Sequence, residues 1–176
     1  RELIDTGLGD DELETIRETI LAIPGVGSLH ELRTRRMAAK ALVDVHIILS
    51  DARVSVSEGH QISELVRARL MRALDAVSDV IVHIDPENDE DVSPGVHLPM
   101  RDEFRVLLGA IWGDLCTAAT LDAVTLHYLG GHIHIDVHLD MQPNADVSDL
   151  GAQLIAAAAA EPLIGEVRVF VNSAPK

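Results

Sequence analysis

The order helix, strand, strand, helix, strand can be read twice along this chain of 176 residues. In the first half, apolar and polar residues alternate over residues 41–49 and 79–85, which predicts strands because successive strand side chains point to opposite faces. Apolar residues at helical spacing predict helices over residues 10–23 and 57–77. Residues 28–35 are predicted to form a short strand.

The second half repeats this order. Helices are predicted over residues 101–119 and 147–160, and strands over residues 123–129, 132–141 and 165–172. An internal duplication is the simplest explanation. The helix between the second and third strands of each copy makes a crossover, which places those strands parallel. We therefore predict an α+β fold of two tandem αββαβ, ferredoxin-like subdomains, each a three-stranded sheet with two helices on one face.

Short segments of the two copies also agree in sequence. Residues 43–47 (VDVHI) align with residues 135–139 (IDVHL), and residues 29–32 (LHEL) align with residues 126–129 (LHYL). Between the copies, residues 86–95 are acidic and rich in Pro and Gly, which predicts a linker.

Charge limits the kinds of partner. The chain has 29 acidic and 14 basic residues, for a net charge of −15. Nucleic acids and anionic lipids are disfavoured because binding them requires clustered Lys and Arg, whereas a negative surface attracts cations. Acidity that serves only solubility remains an alternative.

The single cysteine, Cys116, excludes a disulfide within the chain and a thiolate zinc site, and it fits a reducing compartment. No apolar run reaches the ~18 residues of a membrane span. Because the chain begins at Arg1 without a Met, we expect a fragment of a longer protein.

Four histidines and one aspartate of the first copy can converge on one metal site. They are His30, His46, His60, His83 and Asp85. His83 and Asp85 alternate on one face of their strand, and His46 lies on the polar face of the central strand. Imidazole and carboxylate suit Zn²⁺, Fe²⁺, Mn²⁺ or Ni²⁺. A lone strand histidine is more often a partly buried polar residue, so spacing alone leaves both interpretations open.

Six segments in sequence order carry a family resemblance. They are IDTGL at residues 4–8, IPGV at 23–26, LHELRTR at 29–35, VDVH at 43–46, SEGH at 57–60 and VIVHIDP at 80–86. Together they resemble the cytoplasmic C-terminal domain of the cation diffusion facilitator (cation efflux) family over about residues 3–87. The resemblance implies a homodimeric, metallochaperone-like domain attached to a transmembrane domain, on the cytoplasmic side of the cell inner membrane.

The resemblance also implies roles for particular residues. All five candidate ligands match family positions that hold a binuclear zinc site at the dimer interface, with Asp85 bridging the ions. Asp5 matches a hinge aspartate that pairs with the membrane domain. The implied function is metal sensing and dimerisation in a divalent-cation efflux antiporter, not an enzyme, with zinc as the metal, or iron, manganese or cadmium.

The resemblance gives domain boundaries. Residues 1–9 would form the junction that follows a transmembrane domain, and residues 10–87 the cytoplasmic metal-binding domain. Residues 88–100 would be the acidic linker, and residues 101–176 a second αββαβ repeat to which the resemblance assigns no function.

The second copy offers a further candidate metal site. Its members are His127, His132, His134, Asp136 and His138. Four of them share one face of a single strand, because side chains two apart point the same way. The alternative is a polar sheet face without metal, which is favoured because Phe170 and Asn172 occupy the positions equivalent to His83 and Asp85.

Two other functions would use candidate ligands of one copy or the other. A soluble metal buffer or metallochaperone would need the same ligands and no membrane domain. A metallohydrolase is suggested by residues 132–138 (HIHIDVH), but the spacing of the last histidine differs by one residue from the known hydrolase motif, and the predicted fold lacks the sheet sandwich.

Overall fold

A computed structural model describes residues 7–37, 39–88, 95–117, 120–121, 123–140 and 147–172. The chain forms two compact units, Arg1–Asp91 and Val92–Lys176. Asp5 lies outside the described residues. No helix in the described ranges is long and apolar enough to cross a bilayer.

The first unit contains two helices and a three-stranded sheet. The elements are α1 (Asp10–Leu21), β1 (Val26–Met37), β2 (Lys40–Leu49), α2 (Val56–Ala73) and β3 (Val77–Asp85). The strands lie in the order β1-β2-β3. The pair β1–β2 is antiparallel and the pair β2–β3 is parallel, as the crossover through α2 requires.

The second unit repeats this arrangement. Its elements are α3 (Arg101–Trp112), a short 3₁₀ helix (Gly113–Leu115), β4 (Val124–Leu129), β5 (His132–Asp140), α4 (Val147–Ala158) and β6 (Ile164–Asn172). The order β4-β5-β6, antiparallel and then parallel, matches the first sheet. The tandem αββαβ, α+β fold is confirmed.

Several predicted ends were wrong for local reasons. The first helical residue of α2 is Val56, because the side chain of Ser55 accepts a hydrogen bond from the N–H of Glu58 at 3.1 Å and caps the helix. Leu74 adopts an extended conformation and ends α2 before the predicted residue 77. Gly113, at φ +50°, ends α3 well before residue 119, because this left-handed conformation stops a helix.

Each sheet buries one face under its helices. On β2, Val43, Val45 and Ile47 are buried and alternate with half-buried polar positions. They pack in one core with buried residues of the helices, namely Ile16, Ile20, Val66 and Leu70. Burying each such side chain contributes about 1.5–3 kcal/mol, which fixes which face of β2 turns away from the helices.

The second unit has the same arrangement. Ile133, Ile135 and Val137 of β5 are fully buried in a core with Phe104 and Leu108 of α3. The register of the strands corrects one sequence alignment. Arg33 lies opposite Asp44 and Thr125 lies opposite Asp136, so these pairs are equivalent. Residues 29–32 are therefore not equivalent to residues 126–129. The sequence match misled because residues 29–32 lie well before the end of β1 at Met37, whereas residues 126–129 are the last residues of β4 before its hairpin turn.

Candidate metal centre

The three strands of the first sheet place three histidines in a row. His46 lies on β2, on the face opposite the buried valines. The register pairs it with His30 on β1 and with His83 on β3. Side chains paired across neighbouring strands share a face and lie close together. Asp85, two residues beyond His83, adds a carboxylate to this face.

Asp85 is the centre of the first group of side chains. Its Oδ2 lies 3.0 Å from Nε2 of His30 and 2.9 Å from Nδ1 of His46. Burial raises the pKa of the Asp85 carboxyl, but the hydrogen bonds from His30 and His46 lower it further, so the net pKa is below its ordinary value. An ionised carboxylate only accepts, so both imidazoles donate to the same oxygen.

A second group shares His46. Nε2 of His83 lies 3.3 Å from Oδ1 of Asp44, and the rings of His46 and His83 stack at 4.3 Å between centroids with 14° between their planes. Oδ1 of Asp44 is buried and has no hydrogen-bond partner of good geometry. A buried carboxylate oxygen without a donor is costly, and a bound cation would remove that cost.

Both groups have the dimensions of a cation site. In each, one potential ligand atom per residue lies within 4.8 Å of the others, for His30, His46 and Asp85 and for Asp44, His46 and His83. Ligands about 2.0–2.1 Å from a tetrahedral Zn²⁺ are about 3.3 Å apart. The contacts at 2.9–3.3 Å therefore need only small adjustments to hold an ion.

His60 is the one predicted ligand of the first copy that lies outside both groups. It is exposed in the first turn of α2. The neighbouring Gly59 faces Ile84 and Leu49, since a Cβ built there would lie 3.5 and 3.8 Å from their terminal methyl groups. The start of α2 thus packs on the core side of the sheet, whereas the other four residues lie on the opposite face.

Two acidic residues near these groups were not predicted as ligands. Asp44 could have been found, because it lies two residues before His46 on the same face. Glu31 could not, because it sits in the irregular part of β1 with φ +48°. Its carboxylate lies 3.7 Å from Nε2 of His46 and 2.9 Å from the guanidinium of Arg33.

In the second unit, the carboxylate of Asp136 on the central strand is paired with an arginine. Arg168 donates from Nε to Oδ1 of Asp136 at 2.7 Å and from its terminal nitrogen to Oδ2 at 2.5 Å. His127 lies 3.1 Å from the same Oδ2. The hydrogen bond from Arg168 lowers the pKa of the Asp136 carboxyl, burial raises it, and His127 lowers it again, so the net pKa is below its ordinary value. His138 stacks on Phe170 at 5.1 Å.

The other two histidines of the second unit contact the main chain. The N–H of Glu166 donates to Nδ1 of His134 at 3.0 Å, which leaves Nε2 as the donor to the carbonyl of Leu129 at 3.3 Å. Nδ1 of His132 contacts the carbonyl of Gly130 at 2.8 Å. Among the described residues of this unit, no three potential ligands meet as a group. The structure does not bring the five candidates of the second copy together.

Comparison with known proteins covers the first unit. The family described as cation efflux protein, cytoplasmic domain, matches residues 8–87. Metal tolerance protein C1 of Arabidopsis thaliana is 42% identical over 85 residues, which are 48% of this chain and 18% of that protein. The cation-efflux pump FieF of Escherichia fergusonii is 31% identical over 86 residues, which are 49% of this chain and 28% of that protein. The chain therefore spans less than a third of the length of either relative.

Some solved structures are similar to part of the chain. A MamM CTD variant in a manganese form is 25% identical and covers 43% of this chain and 95% of the matched chain, with a TM-score of 0.41. A second MamM CTD variant in a nickel form is 21% identical and covers 46% and 100%, with a TM-score of 0.43.

Proposed function

We propose that the first unit senses a divalent cation and dimerises in a cation efflux antiporter, because residues 8–87 match the family described as cation efflux protein, cytoplasmic domain. The family is one of transporters rather than of enzymes. The observation that carries the proposal is the convergence of two imidazoles on one oxygen of Asp85, beside a second group that shares His46.

The chemistry of the ligands favours zinc. Two or three neutral imidazoles and one carboxylate form a nitrogen-rich set that suits Zn²⁺, while Fe²⁺, Mn²⁺ and Cd²⁺ remain competitors for the same atoms. Ligation needs a nitrogen lone pair, so an imidazole nitrogen that now donates to Asp85 must pass its proton to the other ring nitrogen before it can bind a cation. Protonation of an imidazole would remove that lone pair, so binding should weaken as the pH is lowered.

His60 supports a role for a second copy of the chain. It is in neither group of potential ligands, and α2 packs on the buried face of the sheet while the ligand face is the opposite one. In a homodimer, His60 of one protomer would complete the site of the other. A cation held between protomers favours the dimeric arrangement only by its higher affinity for that arrangement. It also relieves repulsion between two chains that each carry a net charge of −15.

The rest of the transporter follows from this proposal. A transmembrane domain in the longer protein would precede the first unit and place that unit on the cytoplasmic side of the cell inner membrane. Asp5 would pair with that domain at the hinge. The start of the unit is fixed to the sheet, because the guanidinium of Arg36 donates to the carbonyl of Gly7 at 2.9 Å and Leu8 is buried.

The test is zinc titration of the chain and of Asp85→Asn by calorimetry, with sedimentation to measure assembly. Asp79→Asn is the matched control, because Asp79 lies on the same strand but is exposed and contacts Arg67 instead of a histidine. The parent and the control should bind zinc and dimerise more tightly with it. Asp85→Asn should lose at least about 10-fold in affinity, as disturbed metal shells do.

Two results would contradict the proposal. Equal zinc affinity of Asp85→Asn and Asp79→Asn would remove Asp85 from the site. Zinc binding without any change in assembly would indicate a metal buffer or metallochaperone instead of a dimerising sensor.

A further inference from the structure

The duplicated aspartate of the two units has two different environments. Asp44 and Asp136 are equivalent by register, since each lies on the central strand opposite equivalent positions of the flanking strands. On the parallel side, Asp44 lies opposite Ile81 and Asp136 lies opposite Arg168. On this side, the residue opposite the aspartate is apolar and 53% exposed in the first unit and cationic in the second. On the antiparallel side, Asp44 lies opposite Arg33, whose guanidinium pairs with Glu31 at 2.9 Å.

The two carboxylates also differ in the hydrogen bonds that they accept. Oδ1 of Asp44 is buried without a hydrogen-bond partner of good geometry. Both oxygens of Asp136 accept from the forked guanidinium of Arg168, and Oδ2 also contacts His127. Forked arginine–carboxylate pairs are among the strongest charge-assisted hydrogen bonds. Asp136 thus has a guanidinium on both oxygens, whereas Oδ1 of Asp44 lies 3.3 Å from Nε2 of His83.

Both units have a stacked pair of rings next to the aspartate, but the second unit replaces one histidine of the pair with a phenylalanine. His46 stacks on His83 in the first unit, and the equivalent His138 stacks on Phe170 in the second, with 16° between the planes. Phe170 preserves the flat contact and offers no ligand atom. The guanidinium of Arg168 also lies 5.5 Å from the centre of that ring, within cation–π range.

We infer that the side chain of Arg168 takes the place of a metal ion in the second unit. The charge of Asp136 is then neutralised at any metal concentration. The first unit depends on an external cation and the second does not. Only this contrast between the two units rests on the proposed function. The claim about Arg168 is tested within the second unit itself.

The first test is nuclear magnetic resonance on the full chain, observing the Nε–H group of Arg168 and the imidazole of His127. With EDTA or with excess Zn²⁺, the two signals should be unchanged, because Asp136 stays paired with Arg168. Zinc-dependent shifts or broadening of both signals would overturn the inference. This result is independent of whether the first unit binds zinc, so it separates failure of the inference from failure of the proposed function.

The second test removes the substitute cation. In a background of His30→Ala, His46→Ala and Asp85→Ala, the variant Arg168→Met should make the His127 signal sensitive to Zn²⁺, because the Asp136–His127 pair then lacks a cation. Arg101→Met is the control, since Arg101 lies in the same unit and contacts the carbonyl of Val124 rather than a carboxylate. A zinc response in the control, or none in Arg168→Met while the chain remains folded, would refute the substitution. If Arg168→Met does not fold, the spectra of the parent chain decide.

Discussion

Replacement of Gly165 by alanine should destabilise the second unit through a single contact. A Cβ at residue 165 would lie 2.7 Å from Cε1 and 2.9 Å from Nε2 of His134, far inside van der Waals contact. The imidazole cannot move freely, because it bonds to the main chain of Glu166 and of Leu129. Overpacking costs about 1–3 kcal/mol, and the smaller backbone entropy of an unfolded chain with alanine returns about 0.4–1 kcal/mol. The net loss should be about 1–2 kcal/mol.

A double-mutant cycle isolates that contact. Urea unfolding in EDTA can be followed by the fluorescence of Trp112, which is the only tryptophan of the chain and is buried in the second unit. In a His134→Ala background, the collision is absent, so Gly165→Ala should be neutral or slightly stabilising, with a coupling energy of about 1–3 kcal/mol. If Gly165→Ala costs the same in both backgrounds, the packing of His134 on Gly165 is not the cause.

Two further predictions concern the paired aspartates. Asp136→Asn should lower the free energy of unfolding by about 1.5–3 kcal/mol near pH 7, because it weakens hydrogen bonds to a charged group. The pKa of Asp136 in the folded chain lies below the ordinary value of 3.8. The stabilisation by the ionised carboxylate is therefore present above about pH 4 and is lost as the pH falls through the folded pKa. Urea unfolding at pH 7 and pH 3 checks this, and a cost that is larger at pH 3 would contradict it. Ile81→Arg should place a guanidinium beside Asp44 and lower the zinc affinity of the first unit by about 10-fold or more, as measured by calorimetry against Ile81→Met. Equal affinities of the two variants would mean that residues 81 and 168 are not functionally equivalent.

The strands and their faces were predictable from the sequence because burial selects them. Val43, Val45 and Ile47 can satisfy a core only on one side of β2, so Asp44 and His46 must share the other side. The same argument fixed the faces of β5. The alternation of apolar residues thus gave the face on which the candidate ligands of β2 and β5 lie, without any knowledge of the neighbouring strands.

Register between strands could not be derived in the same way. The alternation of β1 does not reveal the shift between His30 and Arg33, and that shift sets His30 opposite His46 and turns Glu31 to a positive φ. The sequence alignment matched His30 to His127, although the two lie at different distances from the ends of their strands, Met37 and Leu129. The structure instead places His127 opposite His134, near Asp136 and Arg168.

The pairing of Asp136 with Arg168 depends on the same cross-strand information. The two residues are 32 positions apart, and neither the spacing nor the charge pattern connects them. A motif of alternating histidines on β5 suggested a candidate metal site beside the favoured alternative of a polar sheet face without metal, and the sequence of one strand could not show what pairs with that face. In the folded sheet, Arg168 of the parallel neighbour β6 forms an ion pair with the carboxylate of Asp136. The chemistry of a sheet face is therefore decided by residues on adjacent strands, which a one-strand motif does not include.

His60 shows the complementary case, in which sequence gave the residue but not the side of the sheet. Helical periodicity buries Val66 and Leu70, and this fixes α2 on the core face of the sheet. His60 was predicted to converge with the other four candidate ligands of the first copy. The approach of Gly59 to Ile84 and Leu49 holds that turn against the core face instead. A helix that buries its apolar side on one face does not place its residues among the ligands of the opposite face, which is why we propose that His60 acts through a second copy of the chain.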